Sequence, residues 1–137
     1  MWWAYALLSA VFAALTAVLA KVGIQGISAE LATAIRTVVI MLVAWSIVLA
    51  RGENTSMTRL TNHNWLFLLL SGLATGLSWV FYFKALQLGK VSQVAPVDKL
   101  SVALAILLSV AFLSETLSFK TVVGATLIIA GTLVLIR

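Results

Sequence analysis

The sequence of 137 residues contains no cysteine and very few charged residues. The absence of cysteine excludes disulfides, thiolate catalysis and cysteine-ligated metal sites. Charged residues make up 9% of the chain and hydrophobic residues 63%, whereas charged residues average about 25% of a soluble domain. The polar surface is therefore too small to face water on all sides. The sequence predicts an integral membrane protein with a single domain over residues 1–137.

The sequence also lacks the patterns of enzymes and of nucleic-acid-binding proteins. It contains no Ser/His/Asp set, no metal-ligand cluster and no glycine-rich phosphate loop, so we expect no enzymatic activity, no metal and no other cofactor. The net charge is +5, but the cations are scattered singly and mostly lie at the ends of apolar segments. This distribution argues against a nucleic-acid partner.

Five apolar runs predict five transmembrane helices and hence an all-α membrane protein embedded in a lipid bilayer. A helix needs roughly 20 mostly apolar residues to cross a bilayer. Ser28 precedes the second run and is a candidate N-cap. The expected spans cover about residues 2–20, 30–50, 65–83, 91–113 and 121–136.

The fourth span is unusual because it carries Pro96, Asp98 and Lys99 in its first half. Pro96 has no N–H, so the carbonyl of Ser92 loses its helical partner and we expect a helix break at Pro96. Charges within a span are costly and usually face a protein interior or a wet cavity. We interpret this segment as the wall of a solute pathway. Alternatively, Asp98 and Lys99 neutralise other buried charges and hold a dimer together.

Arg36 is a second charge within a span. At the rise of an α-helix it lies roughly 9 Å beyond Glu30, which is near the start of the second span. This depth is compatible with two roles. Arg36 either lines the solute pathway, or it forms a structural ion pair or snorkels to the surface.

The third span carries a polar stripe that ends beside two aromatic residues. Ser71, Thr75, Ser78 and Tyr82 share one helical face, and Trp79 borders it. Such hydroxyls form hydrogen bonds between helices, or they contact a solute. Trp79 and Tyr82 are therefore candidate solute-binding residues.

The fifth span is predicted to be scaffold. Gly124 and Gly131 lie seven residues apart and share a face. Small residues allow the backbones of two helices to approach closely, so we expect both glycines to serve helix packing.

Five short motifs follow one another along nearly the whole chain. They are LLSAVFAALTAVLAKVG in span one, ATAIRTVV with Arg36 in span two, FYFKALQLGKVSQVAPV from span three into span four, LSETL at 113–117 and GATLIIAG at 124–131. Their order and spacing resemble the EamA family of the drug/metabolite transporter superfamily, in its half-size form. Larger members have ten spans, in two inverted five-span repeats around a central cavity. The resemblance implies transport of small organic solutes, with the second half supplied by another chain.

The loop charges permit such a partner to be an inverted copy of the same chain. Five spans place the two ends of the sequence on opposite faces of the membrane. The numbers of cations flanking the spans are equal on the two faces, so the positive-inside rule favours neither orientation. If Lys84 lies at the membrane surface, it adds one cation to the face that carries Lys21 and Lys90. We therefore expect an antiparallel homodimer with mixed insertion. The cations are Arg51, Arg59 and Lys120 on one face and Lys21, Lys90 and Arg137 on the other.

These features together predict a multi-pass transporter or exporter of small polar metabolites, typical of a prokaryotic inner or plasma membrane. Intramembrane cations outnumber carboxylates, which favours amino-acid-like, zwitterionic or anionic solutes. One alternative is a proton-coupled exporter of cationic compounds like the small multidrug resistance proteins, but those use a carboxylate in their first span and residues 2–20 contain none. Another is a non-transporting subunit of a heteromeric lipid-carrier flippase.

Overall fold

The computed structural model describes residues 1–136, and every regular element within them is helical. Four α-helices and the two helical parts of one further span make up five segments that are long and apolar enough to cross a membrane. The predicted all-α architecture with five spans is thus confirmed. Arg137, which entered the loop-charge balance, lies outside the described residues. The elements are α1 (Trp2–Gly23), α2 (Ala29–Ala50), a 3₁₀ helix (Glu53–Arg59), α3 (Asn62–Leu88), α4 (Val91–Asp98), α5 (Leu100–Leu113) and α6 (Phe119–Ile136).

Local capping explains where two of the helices begin. The Ser28 hydroxyl accepts a hydrogen bond from the Leu31 N–H at 3.2 Å, as expected for an N-cap. The Thr61 hydroxyl accepts from the Asn64 N–H, also at 3.2 Å, so α3 starts before the apolar run. Helix α3 is longer at both ends than the predicted 65–83 because apolar character marks the bilayer, whereas backbone hydrogen bonding continues into the interface.

Hydroxyl groups within the spans are mostly satisfied by their own helix. The Thr75 hydroxyl donates to the Ser71 carbonyl at 2.8 Å, for example. A bilayer offers no water to these donors, so a carbonyl four residues earlier is the available acceptor. The same bond is made by Thr33, Thr37, Ser46 and Thr126.

The helices form two units, of which one comprises residues 19–87. Its buried residues lie at one end, where the end of α1, the start of α2 and the end of α3 meet. Phe83 and Leu86 of α3 are fully buried there, with 0% exposure. Further along, residues 37–50 are exposed except for Val48, and residues 62–78 are exposed except for Gly76. Burial between α2 and α3 is therefore concentrated at that end.

The other unit comprises residues 1–18 and 88–136. In it, α6 packs against both α4 and α5. The fourth span is interrupted at Lys99, between α4 and α5, rather than at Pro96, which lies inside α4. The proline removes a hydrogen bond only from Ser92, near the start of α4, and its fixed φ suits a helix. At this point the Lys99 N–H is shared between the Ala95 carbonyl four residues back, at 3.3 Å, and the Pro96 carbonyl three residues back, at 3.1 Å.

Candidate functional site

The Arg36 side chain is held against two aromatic rings of α3. Its guanidinium carbon lies 5.1 Å from the centre of the Trp79 ring and 4.7 Å from that of Phe83. Trp79 and Phe83 are four residues apart, so they lie on the same face of α3. A cation over an aromatic ring gains about 0.5–2 kcal/mol, with the larger values where water is excluded. These contacts fix the guanidinium beside α3.

The charge of Arg36 has no acidic partner among residues 1–136. The two salt bridges in this part of the chain join Lys84 to Glu30 and Lys99 to Asp98. A guanidinium carries five N–H donors in a fixed planar fork. Its donors therefore suit a carboxylate, which accepts two parallel hydrogen bonds from such a fork.

Tyr82 lies next to this cluster. Its ring centre is 6.1 Å from that of Phe83, with the planes tilted by 44°. The sequence predicts Arg36, Trp79 and Tyr82 in one site, and the structure brings Arg36 into contact with Trp79 and sets Tyr82 beside Phe83. Phe83 itself was missed. Its spacing of four residues from Trp79 was the available signal, but an apolar residue in an apolar helix is not distinctive.

Polar contacts join α2 and α3 on the surface side of Arg36. Glu30 and Lys84 form an ion pair at 2.6 Å, with both side chains about half exposed. Beyond it, the Gln87 amide donates to the Ile27 carbonyl at 2.7 Å. No local sequence pattern predicts the pairing of Glu30 with Lys84, which lie 54 residues apart in the chain. Helices α2 and α3 are antiparallel here. Moving inward from the helix ends, the Ile27–Gln87 bond therefore comes first, the Glu30–Lys84 pair second and the Arg36 contacts third.

Asp98 and Lys99 form an ion pair with each other, in the unit that contains α4 and α5. The Lys99 ammonium donates to an Asp98 carboxylate oxygen at 3.2 Å. Successive residues of a regular helix point about 100° apart, and the interruption at Lys99 accommodates this contact. The two side chains are 35% (Asp98) and 57% (Lys99) exposed. Neutralisation of other buried charges, a contact that holds a dimer and contact with a solute all stay predictions.

Thr132 of α6 was missed by the sequence analysis and lies close to the interrupted span. It is buried, with 4% exposure. Its hydroxyl lies 2.8 Å from the Ile128 carbonyl in its own helix and 3.2 Å from the Pro96 carbonyl in α4. Thr132 therefore joins α6 to the last turn of α4, next to the Asp98–Lys99 pair. No local sequence pattern distinguishes it from the other threonines of the spans.

We predict that Thr132→Val destabilises the protein more than Thr126→Val does. Both changes keep the side-chain shape and remove a hydroxyl that bonds within α6, but only Thr132 also reaches Pro96. The expected difference in unfolding free energy is about 0.5–1.5 kcal/mol. Unfolding of the purified protein in detergent measures it, with Thr132→Ser expected to behave like the wild type. Equal effects of the two valine variants would show that the bond to Pro96 contributes nothing.

Gly124 and Gly131 have no close neighbour within the described chain. A Cβ atom added at either glycine would meet no atom within 4 Å. Their predicted role in helix packing therefore stays a prediction, and a close contact at this face would have to come from a second chain.

The remaining ionisable residues are dispersed. Among residues 1–136, no three His, Asp or Glu side chains are placed to hold a metal ion. His63, in the first turn of α3, lies against Phe67 with ring centres 4.5 Å apart. The candidate site therefore offers cations, aromatic rings and one carboxylate, which is paired with a lysine.

Comparison with known proteins identifies the family. The EamA-like transporter family matches residues 1–137. The chain belongs to this family. A relative from Sinorhizobium sp, described as "Uncharacterized transporter in cobO 3'region", is 51% identical over 134 residues, which cover 98% of this chain and 95% of the relative. No solved structure matches the chain.

Membership of the EamA-like family agrees with the five spans described above. It confirms the resemblance drawn from the sequence motifs, and it assigns the chain to multi-pass membrane transporters and not to enzymes. The match covers 95% of the length of the Sinorhizobium relative. Arg36 and the segment ending in Ala95–Pro96 both lie within the region shared with the family.

Proposed function

We propose that this protein is a secondary transporter of small metabolites that carry a carboxylate, with amino-acid-like zwitterions as the principal class. The observation that carries the proposal is the Arg36 guanidinium, held by Trp79 and Phe83 and without a carboxylate among residues 1–136. A charge within a span is costly. A solute carboxylate would stabilise this charge by accepting two hydrogen bonds from the guanidinium.

The other candidate residues suit the rest of such a solute. Trp79 and Tyr82 offer apolar walls with polar tips. Asp98 and Lys99 lie where the fourth span is interrupted, and discontinuous helices commonly form the solute sites of transporters. If the pair opens, Lys99 offers a partner for a carboxylate and Asp98 one for an ammonium group. Opening and closing of the pair would then accompany the alternating access of the site.

We further propose that two copies assemble as an antiparallel homodimer. Three features support this assembly: the half-size chain, the balanced loop cations, and the exposure of residues 37–50 and 62–78 beyond Arg36. An inverted second copy would reproduce the inverted repeats of ten-span transporters, whose site lies at the repeat interface. The exposed faces of α2 and α3 are available to line that interface.

Dual insertion is tested with a single cysteine in the polar segment between α2 and α3. Thr55 lies in the exposed 3₁₀ helix, and the native chain is free of cysteine. We expect Thr55→Cys to be labelled by a membrane-impermeant maleimide from both sides of the membrane, in comparable amounts. As a control, Ser56→Arg with Thr58→Arg adds cations to this segment and should make labelling one-sided. One-sided labelling of Thr55→Cys alone would exclude an antiparallel pair of identical chains.

The solute class is tested by a thermal-stability screen of the purified protein against a metabolite library. A ligand that binds the folded state raises the unfolding temperature by mass action. We expect amino acids and other small carboxylates to stabilise the protein and their amide analogues to fail. Stabilisation by lipophilic cations alone would instead favour the multidrug-exporter alternative. Purified protein that binds nothing but lipid carriers would favour the flippase subunit.

A further inference from the structure

A half-open cavity of about 440 Å³ lies at one end of the unit formed by residues 19–87. It is bounded by the last turn of α1, the loop between α1 and α2, and the last turn of α3. These helix ends lie at the membrane surface if the helices span the bilayer. The cavity is lined by Lys21, Ile24, Gln25, Gly26, Ile27 and Gln87.

Hydrogen bonds between its walls hold the cavity in shape. The Lys21 ammonium donates to the Leu86 carbonyl, which joins α1 to α3. The Gln87 amide donates to the Ile27 carbonyl at 2.7 Å, which joins α3 to the loop. Gly26 has a φ of 76°, a left-handed conformation that glycine adopts without strain, and it turns the loop back over the cavity.

The lining has the chemistry of a site for a small anion. It contains one ammonium group, two primary amides and two isoleucine side chains, and none of the six lining residues carries a negative charge. An ammonium group in a concave site raises the local concentration of anions. Primary amides both donate and accept hydrogen bonds. This combination suits a carboxylate attached to a small, partly apolar body.

Three contacts follow one another along α2 and α3 from the cavity towards Arg36. The first is the Ile27–Gln87 bond, which joins two lining residues. The Glu30–Lys84 ion pair follows at the next turn of both helices, at 2.6 Å. Arg36 with its two rings comes after that pair. A carboxylate moving from the cavity to Arg36 would therefore pass the Glu30–Lys84 pair.

We propose that this cavity is a surface site that captures the carboxylate of the solute before it reaches Arg36. The identity of the solute rests on the proposed function, whereas the preference for anions rests on the cavity alone. An antiparallel dimer would present one copy of the cavity on each face of the membrane.

A reporter cysteine tests the preference for anions without any transport assay. Gln25→Cys places a thiol in the lining. Its rates of reaction are measured with an anionic and a cationic methanethiosulfonate, the sulfonatoethyl and the trimethylammonioethyl reagents. We expect Lys21→Gln to lower the ratio of the anionic to the cationic rate about three- to tenfold. Lys21→Arg keeps the charge and should keep the ratio.

Arg51→Gln is the matched control for a distant charge. Arg51 follows the last residue of α2, roughly 30 Å from Glu30 along the helix, far beyond the screening length of about 8–10 Å in physiological salt. We expect it to leave the ratio unchanged. An equal change in Arg51→Gln and Lys21→Gln, or no change in either, would overturn the proposal.

Competition with propionate distinguishes binding of a carboxylate in the cavity from a non-specific electrostatic attraction of anions. At constant ionic strength, propionate should slow the anionic reagent at the Gln25→Cys thiol more than chloride does. This protection should disappear in Lys21→Gln. Equal effects of propionate and chloride would overturn the proposal. This measurement needs no transport. A negative result here therefore does not decide the role of Arg36, and a negative result for Arg36 does not change the evidence for anion binding in the cavity.

Lipid headgroups are the other source of an anion at the membrane surface. The same rates are compared in nanodiscs of phosphatidylcholine and of phosphatidylglycerol, each normalised to a Thr55→Cys reporter. We expect similar normalised rates in both lipids if the cavity serves a free carboxylate. Selective blocking of the Gln25→Cys thiol in phosphatidylglycerol would assign the cavity to a lipid phosphate and overturn the proposal.

Discussion

Arg36→Gln is expected to weaken binding of the solute by at least about 30-fold, equivalent to roughly 2 kcal/mol. The glutamine cannot neutralise a carboxylate, and it leaves Trp79 and Phe83 without the cation that stacks on them. Arg36→Lys keeps the charge but loses the planar fork and the stacking, so we expect an intermediate loss of about tenfold. Affinity is measured by thermal shift or calorimetry with the carboxylate that gives the largest stabilisation in the screen.

Two controls separate binding from folding in this experiment. Arg51→Gln removes a cation that lies roughly 22 Å from Arg36 along α2, and it should keep the affinity of the wild type. Phe83→Leu keeps an apolar side chain at a fully buried position but removes the ring below the guanidinium. We expect it to weaken binding less than Arg36→Gln. If Arg36→Gln folds normally and binds the carboxylate as the wild type does, Arg36 is not the anchor.

The second large effect is expected from a double-mutant cycle on the ion pair at the interrupted span. Asp98→Asn and Lys99→Gln each leave one charge without its partner 3.2 Å away. We expect each single change to destabilise the protein by about 1–2 kcal/mol, a moderate value because both side chains are partly exposed. The double change removes both charges and should recover most of that stability. Unfolding in detergent measures this part of the cycle.

Transport by the same variants decides between the two roles of the pair. If Asp98 and Lys99 contact the solute, the double variant should be stable and dimeric but should transport at least about tenfold more slowly than the wild type. If the pair only neutralises charge within the chain, the stable double variant should transport normally. Loss of the dimer in both single variants, with recovery in the double, would identify the pair as a structural contact between chains.

The parts of the fold that were predicted correctly depend on local properties of the chain. The existence of the spans follows from the length and apolar character of each run, which are sufficient for insertion whatever the neighbouring helices are. The cap at Ser28 depends on atoms three residues apart. An interruption of the fourth span was expected at Pro96, but it lies at Lys99. The missing N–H of Pro96 affects only the carbonyl four residues earlier. The tight turn forms after the proline, where the Lys99 N–H contacts the Pro96 carbonyl.

The candidate site was predicted only in part, because contacts between helices depend on their relative rotation and register. An apolar helix has no strongly polar face to reveal which side meets its neighbour. Arg36 and Trp79 were recognised as unusual residues, but their contact with each other and with Phe83 requires α2 and α3 to be aligned. The Glu30–Lys84 pair depends on the same alignment, so it was missed as well.

By itself, the sequence determined that this is a five-span membrane protein related to the EamA-like transporters, with a few of its charges placed within the spans. Composition and run length decide insertion, because the bilayer excludes polar backbone and side chains from any segment regardless of its partners. Only the tertiary structure decided which side chains those charges meet: Arg36 with two rings, Lys84 with Glu30, and Asp98 with Lys99. Such contacts act over a few ångströms, so they are set by the register of packed helices and, at Lys99, by the local interruption of one.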